Sequence, residues 1–270
     1  MCGAWQSRVR RRVSDHSEQI SEQNGRDMAD RDTPSISTLI CLPFAGAGAS
    51  FFHPWQERAP SGLRVLAVQL PGRERLIDEE PYRTVRQAAD GLLPELAKAA
   101  DGRVVLYGHS LGAVLAFELA LRLAEAGTDQ AGLIVGGSPG PWTRRQLRAT
   151  GLPDDEFVLR VQDFAGYAHE ALLDPELREL ILPTLRADVE MHENYRPLRD
   201  TRPLPIPVVS LRGAEDDLVT AEQAREWAAA TAAEFSHREV PGGHMFPTAG
   251  PEPVLRAALD LLAAGGRRDG

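Results

Sequence analysis

A chain of 270 residues, 43% apolar and 26% charged, is long enough for one large α/β domain with a substantial buried core. Its formal charge of −9 argues against wholesale nucleic-acid binding, which rests on Lys and Arg meeting phosphates, and no apolar run approaches the roughly 20 residues that cross a bilayer. Two cysteines, Cys2 and Cys41, make neither a disulfide framework nor a zinc site, which is the pattern expected in a reducing cytoplasm.

Residues 1–34 are polar and charged with almost no apolar periodicity, so a disordered leader is expected there, followed by one folded domain over residues 35–270. The cluster Arg8, Arg10, Arg11 and Arg12 is balanced by acids further along the same stretch and reads as part of a solvated tail. The leader lacks the apolar stretch of a secretory signal, and Met28 offers an alternative start.

From residue 36, short apolar runs alternate with helical patterns, which implies βαβ units and a mostly parallel sheet flanked by helices. "STLICLPF" and "LRVLAVQLPG" read as buried strands stopped by Pro or Gly. "VRQAADGLLPELAKAA" has helical spacing, "GRVVLYGHS" returns to strand, "AVLAFELALRLAEAG" is a helix ended by Gly127, and "AGLIVGGSPG" is another buried strand. Residues 142 to about 200 then hold no convincing strand but two helical segments, "DDEFVLRVQDFAG" and "DPELRELILPTLRADVEMHENY". In the second, Asp174 can cap while Pro175 takes the first helical position. Inserted between strands, these helices are expected to form a lid; the alternative is that they are packed helices of the core. "VVSLRG" is a strand, "AEQAREWAAATAAEF" a helix, "SHREVPGGH" a short strand and "EPVLRAALDLLAAG" the closing helix.

Gly108, His109, Ser110, Leu111 and Gly112 form GxSxG where a strand gives way to a helix. A Cβ at either glycine would collide with the neighbouring elements as the turn tightens, so the glycines present Ser110 at the carboxyl end of a strand and the positive end of a helix. A serine hydroxyl needs a base, and the base an orienting carboxylate. The α/β-hydrolase order is serine, acid, histidine, and "PGGHMFP" supplies His244 in a loop after the last short strand. "LRGAEDDLV" supplies three adjacent acids; spacing from the glycine favours Asp216, with Glu215 and Asp217 as alternatives. His109 is expected to point to the opposite side of the elbow from Ser110. Two backbone donors for an oxyanion are expected from Leu111 and from the loop "LPFAGAGASFFHPW", where Ala45 is the choice and Phe44 the next. That loop has no GK[ST] ending and no GxGxxG, so a phosphate loop is disfavoured, and no metal-ligand cluster appears.

With "LPFAGAGASFFHPW", "VQLPGRERLIDEEPY", "GHSLGAVLAFELA" and "GAEDDLV…PGGHMF" in hand, the chain resembles the type II thioesterases, free-standing editing hydrolases of nonribosomal peptide and polyketide synthesis, over roughly residues 37–262. The resemblance implies the α/β-hydrolase fold and hydrolysis of acyl groups from the phosphopantetheine arm of carrier proteins, without cofactor or metal. It implies Ser110 as nucleophile, His244 as base and then acid, and Asp216 as the group that orients the imidazole. Phe44 stands where Tyr is common, Asp217 where Pro often follows the acid, and Met245 where an aromatic is frequent. Arg73 and Arg75 of "LPGRERLIDEEPY" read as solvated charges of a connecting loop. Expected partners are the acyl or peptidyl carrier domains of a megasynthase, engaged by a monomer, with neither nucleic acid nor membrane involved. A small-molecule carboxylesterase or lipase with the same triad, and a catalytically silent binding protein of the same fold, are the alternatives.

Overall fold

The computed structural model describes residues 36–100, 102–143, 148–165, 172 and 174–265; the expected leader, with Cys2 and Met28, lies outside them. Among the described residues six strands, β1 (Ser37–Leu42), β2 (Leu63–Ala67), β3 (Val104–His109), β4 (Gln130–Gly136), β5 (Val208–Gly213) and β6 (Phe235–Val240), form one sheet in the order β2-β1-β3-β4-β5-β6. Every neighbouring pair is parallel. The helices are α1 (His53–Arg58), α2 (Val85–Ala99), α3 (Leu111–Glu125), α4 (Asp154–Ala165), α5 (Pro175–Asn194), α6 (Ala221–Arg225) and α7 (Glu252–Gly265).

Parallel strands buried on both faces read as continuous apolar runs, and the period of two then divides their side chains between two cores. Ile40, Leu42, Leu106, Leu133 and Val135 face α2 and α3, whereas Leu39, Cys41, Val105, Tyr107 and Ile134 face Trp55 of α1 and the Val254–Leu261 side of α7. Burial pushes the Cys41 thiol well up, which keeps it a neutral packing group. The chain leaves β1 for β2 on one side and then places β3 on the other. The crevice above the carboxyl ends of β1 and β3 is therefore the place where an open parallel sheet accepts a ligand.

Between β4 and β5 lie α4 and α5, and they divide the two expectations for that segment. Phe157 and Val158 of α4 and Leu182, Leu185 and Val189 of α5 form a small apolar cluster of their own. The distal end of α5 instead joins the main core through Met191, and Tyr195 just beyond it does the same. Asp174 caps α5 by accepting from the N–H groups of Glu176 and Leu177, as its sequence predicts. The helix expected over "AEQAREWAAATAAEF" is shorter than its pattern: α6 passes into a 3-10 turn that stops at Ala230. Thr231 ends it by donating its hydroxyl to the carbonyl of Ile206 at 2.6 Å, so Phe235 is free to begin β6.

The join between α5 and the core contains a buried acid. Glu118 of α3 is 4% exposed, accepts the Tyr195 hydroxyl at 3.0 Å and pairs with Arg122 one turn on. Burial first, and the Glu118 charge next, push the Tyr195 phenol up, so it remains a donor. Tyr195→Phe removes the hydrogen bond to Glu118 Oε1, leaving that oxygen the ion pair with Arg86 Nε at 3.9 Å, and should cost about 1–3 kcal/mol of stability in urea denaturation; an unchanged midpoint would show that Arg122 and Arg86 satisfy Glu118.

Candidate active site

A single residue, Ser110, links β3 to α3. It is bent to φ 55°, ψ −111°, a conformation that costs a non-glycine residue about 1–3 kcal/mol. The neighbours leave it no alternative. A Cβ on Gly108 would lie 1.8 Å from the carbonyl oxygen of Gly112, and one on Gly112 would lie 2.4 Å from that of Leu42 at the end of β1. The Ser110 N–H donates to the Gly136 carbonyl at 2.8 Å, tying the turn to β4. Leu111 follows as the first residue of α3, where an N–H has no acceptor within its own helix and faces outward with the positive end of the helix dipole.

The loops after β5 and β6 are stitched together: Ala214 N–H donates to Val240 O at 2.8 Å and Glu215 N–H to Gly242 O at 3.0 Å. The stitching brings Asp216 Oδ2 to 3.0 Å from His244 Nδ1. Of the three adjacent acids, Asp216 is buried while Glu215 and Asp217 are exposed. Its other oxygen accepts from the N–H groups of Leu218 at 2.9 Å and Val219 at 3.1 Å. Burial acts to raise the Asp216 carboxyl, but the hydrogen bond and charge of His244, helped by the two amides, outweigh it and hold it below its ordinary value. An ionised carboxylate can only accept, so Nδ1 carries the hydrogen and Nε2 is left with the lone pair of a base.

The His109 ring is fully buried, 5.2 Å from that of His244 and 5.2 Å from that of Phe246, so it backs the His244 imidazole. Ala45 sits in a tight turn closed by Ala47 N–H to Phe44 O at 3.0 Å, and among the described residues its own N–H donates to no backbone acceptor.

Arg73 overturns the reading of a solvated loop charge, although Arg75 is exposed as expected. It is 8% exposed, and its guanidinium forks onto Asp188 of α5, with Nη1 at 2.6 Å from Oδ2 and Nη2 at 2.8 Å from Oδ1. The same Nη1 donates to the Ala47 carbonyl at 3.0 Å, and Asp188 Oδ2 accepts the Gly46 N–H at 2.8 Å. One signal of this was available: Asp188 is a lone acid on the apolar face carrying Leu185, Val189 and Met191. Its partner, 115 positions away, carried no signal.

Ser110 and His244 lie on the wall of one cavity of about 830 Å³. Phe44 and Phe51 line one side of it, and Ile181, Leu185 and Val189 of α5 the other. The surface suits an apolar chain, with its reactive end at the serine.

The family model for the thioesterase domain matches residues 37–262. The chain is 36% identical over 210 residues to the probable cadicidin biosynthesis thioesterase of Streptomyces griseus, covering 78% of this chain and 58% of that relative. It is 31% identical to the gramicidin S biosynthesis protein GrsT of Aneurinibacillus migulanus, over 77% of this chain and 82% of the relative. The solved structure of the type II thioesterase BorB from the borrelidin biosynthetic cluster superposes with a TM-score of 0.77 at 35% identity, covering 85% of this chain and 94% of that one.

Gly112→Ala should cost more than about 4 kcal/mol, read by urea denaturation, because the clash is with the backbone carbonyls of Leu42 and Pro43 and not with a movable side chain; a loss under about 1 kcal/mol would mean that β1 can yield. The Asp216 carboxyl sits below its ordinary value of 3.8 in the fold, so its contribution is complete above that value and is lost as pH falls through the folded one. The part of the stability gap between wild type and Asp216→Asn that comes from this carboxyl should therefore shrink as pH falls below about 4. A gap that widens on acidification would contradict this sign.

Proposed function

The chain belongs to the thioesterase domain family, and on that premise we propose that it clears acyl groups from the phosphopantetheine arm of carrier domains in a peptide or polyketide assembly line. It is a thioester hydrolase, and its relatives named for antibiotic biosynthesis support an assembly-line role. Acting as a monomer in the cytoplasm, it would meet an acidic carrier through local basic residues or apolar contacts of the segment between β4 and β5.

In the proposed cycle the Ser110 hydroxyl attacks the thioester carbonyl as His244 Nε2 takes its proton. The N–H groups of Leu111 and Ala45 receive the negative charge that develops on oxygen. Collapse breaks the C–S bond, and the phosphopantetheine sulfur leaves as a thiol with the proton held by His244, which frees Nε2 to act as a base again. A thiol is far more acidic than an alcohol, so this step needs little help. Water then attacks the acyl-serine, giving one proton to His244, which returns it to the Ser110 oxygen as the acid departs. Asp216 holds the imidazole in the required tautomer and carries the opposing charge while it is protonated.

The observation that supports this most is the 3.0 Å contact between His244 and a buried, thrice-bonded Asp216 on the edge where Ser110 sits. Asp216→Asn should lower kcat by about 10⁴-fold through the wrong tautomer, whereas Glu215→Gln and Asp217→Asn should stay within a few-fold of wild type. Hydrolysis of acyl-loaded carrier protein, compared with that of simple oxygen esters by the same preparation, tests the substrate class. Faster turnover of the oxygen esters would favour a carboxylesterase, and failure of a fluorophosphonate to label Ser110 would defeat the triad.

A further inference from the structure

We propose that Arg73 and Asp188 are positioning residues for the oxyanion-binding turn, and that through them α5 sets the direction of the Ala45 N–H; this rests on the serine-hydrolase reading above. The turn Phe44–Ala47 is short and rich in small residues, with Gly46 at φ 79°, so by itself it has little to define one conformation. Two external contacts hold the peptide units that follow Ala45 and Ala47. Asp188 takes the Gly46 N–H at 2.8 Å, and Arg73 gives a hydrogen bond to the Ala47 carbonyl at 3.0 Å. With the turn already closed by Ala47 N–H to Phe44 O, the remaining rotations about Ala45 are confined.

Charge makes the pairing necessary. A bare carboxylate hydrogen-bonded to the amide next to an oxyanion donor would repel the charge that forms in the transition state. The bidentate guanidinium cancels that field while fixing both Asp188 oxygens. A buried ion pair is weak evidence for stability, since apolar residues of similar volume often do as well. Its value here is geometric. One helical turn before Asp188, Thr184 of the same helix donates to the Gly72 carbonyl at 2.8 Å, so α5 grips the loop bearing Arg73 at a second point. Movement of α5 would therefore be felt at the oxyanion site.

The test compares wild type, Asp188→Asn and the apolar double variant R73M/D188L, which leaves no unpaired buried charge, with Tyr195→Phe as a buried-network control away from the turn. Three readouts are needed on folded protein: kcat/KM on an acyl-carrier thioester, inhibition by an acyl trifluoromethyl ketone that forms a tetrahedral oxyanion on serine, and inhibition by the unreactive thioether analogue. R73M/D188L should lose ~100-fold in kcat/KM and in ketone affinity together, the scale of one oxyanion donor, while thioether affinity changes less than ~3-fold. Asp188→Asn, which keeps one acceptor oxygen but loses the charge and sets an NH2 donor against the Arg73 guanidinium, should lose part of this, and Tyr195→Phe should lose stability only. Full ketone affinity in the double variant, or equal losses for ketone and thioether, would overturn the proposal. A wild type that binds the thioether but not the ketone would overturn the hydrolase mechanism itself.

Discussion

The close approach of β3, α3 and β1 around Ser110 is the constraint on which the rest of the site depends. Two backbone segments come so near that positions 108 and 112 have no room for a side chain, and the residue between them takes up the strain. The strain is sustained because the sheet and α3 are bound into a dense core: Leu106, Leu111, Leu115 and Phe117 are all buried and belong to one cluster. The same geometry starts α3 immediately after the serine. One turn of chain thus supplies both the proposed nucleophile and a free N–H beside it.

Around this fixed point, buried acids do the positioning, and each is balanced locally. Asp216 is balanced by His244 and two amides. Asp188 is balanced by Arg73 and the Gly46 N–H. Glu118 is balanced by Arg122 and Tyr195. Glu193 accepts the N–H groups of Ala149 at 2.6 Å and Thr150 at 3.1 Å. Three of these networks pass through α5 or the residue after it. That helix is therefore more than a cover: one end lines the cavity with Ile181 and Leu185, and the other is anchored in the core through Met191.

Local signals carried much of this in the sequence. Apolar runs without alternation gave the buried strands, Asp174-Pro175 gave the start of α5, and Gly-x-Ser-x-Gly at a change of period gave the elbow. The helix over "AEQAREWAAATAAEF" was overextended because alanine-rich spacing continues past Ala230. The stop at Thr231 comes from carbonyls of Leu204 and Ile206, which no local pattern shows. Strand alternation sends His109 away from Ser110, and the loop after β6 sets the His244 ring against it, a pairing that no local pattern shows.

The sequence by itself therefore determined the order of strands and helices, the family resemblance and the residue types able to make a triad, because periodicity, capping and turn chemistry act over a few neighbouring residues. Spacing favoured Asp216 among three adjacent acids, but only tertiary structure sets it 3.0 Å from His244, and tertiary structure alone decided that Arg73 is buried against Asp188 instead of solvated. Those outcomes depend on pairings between residues 28 and 115 positions apart, brought together by the sheet order and by the packing of α5. A charge's place in a fold is set by what is packed against it, and that partner is written nowhere near it in the chain.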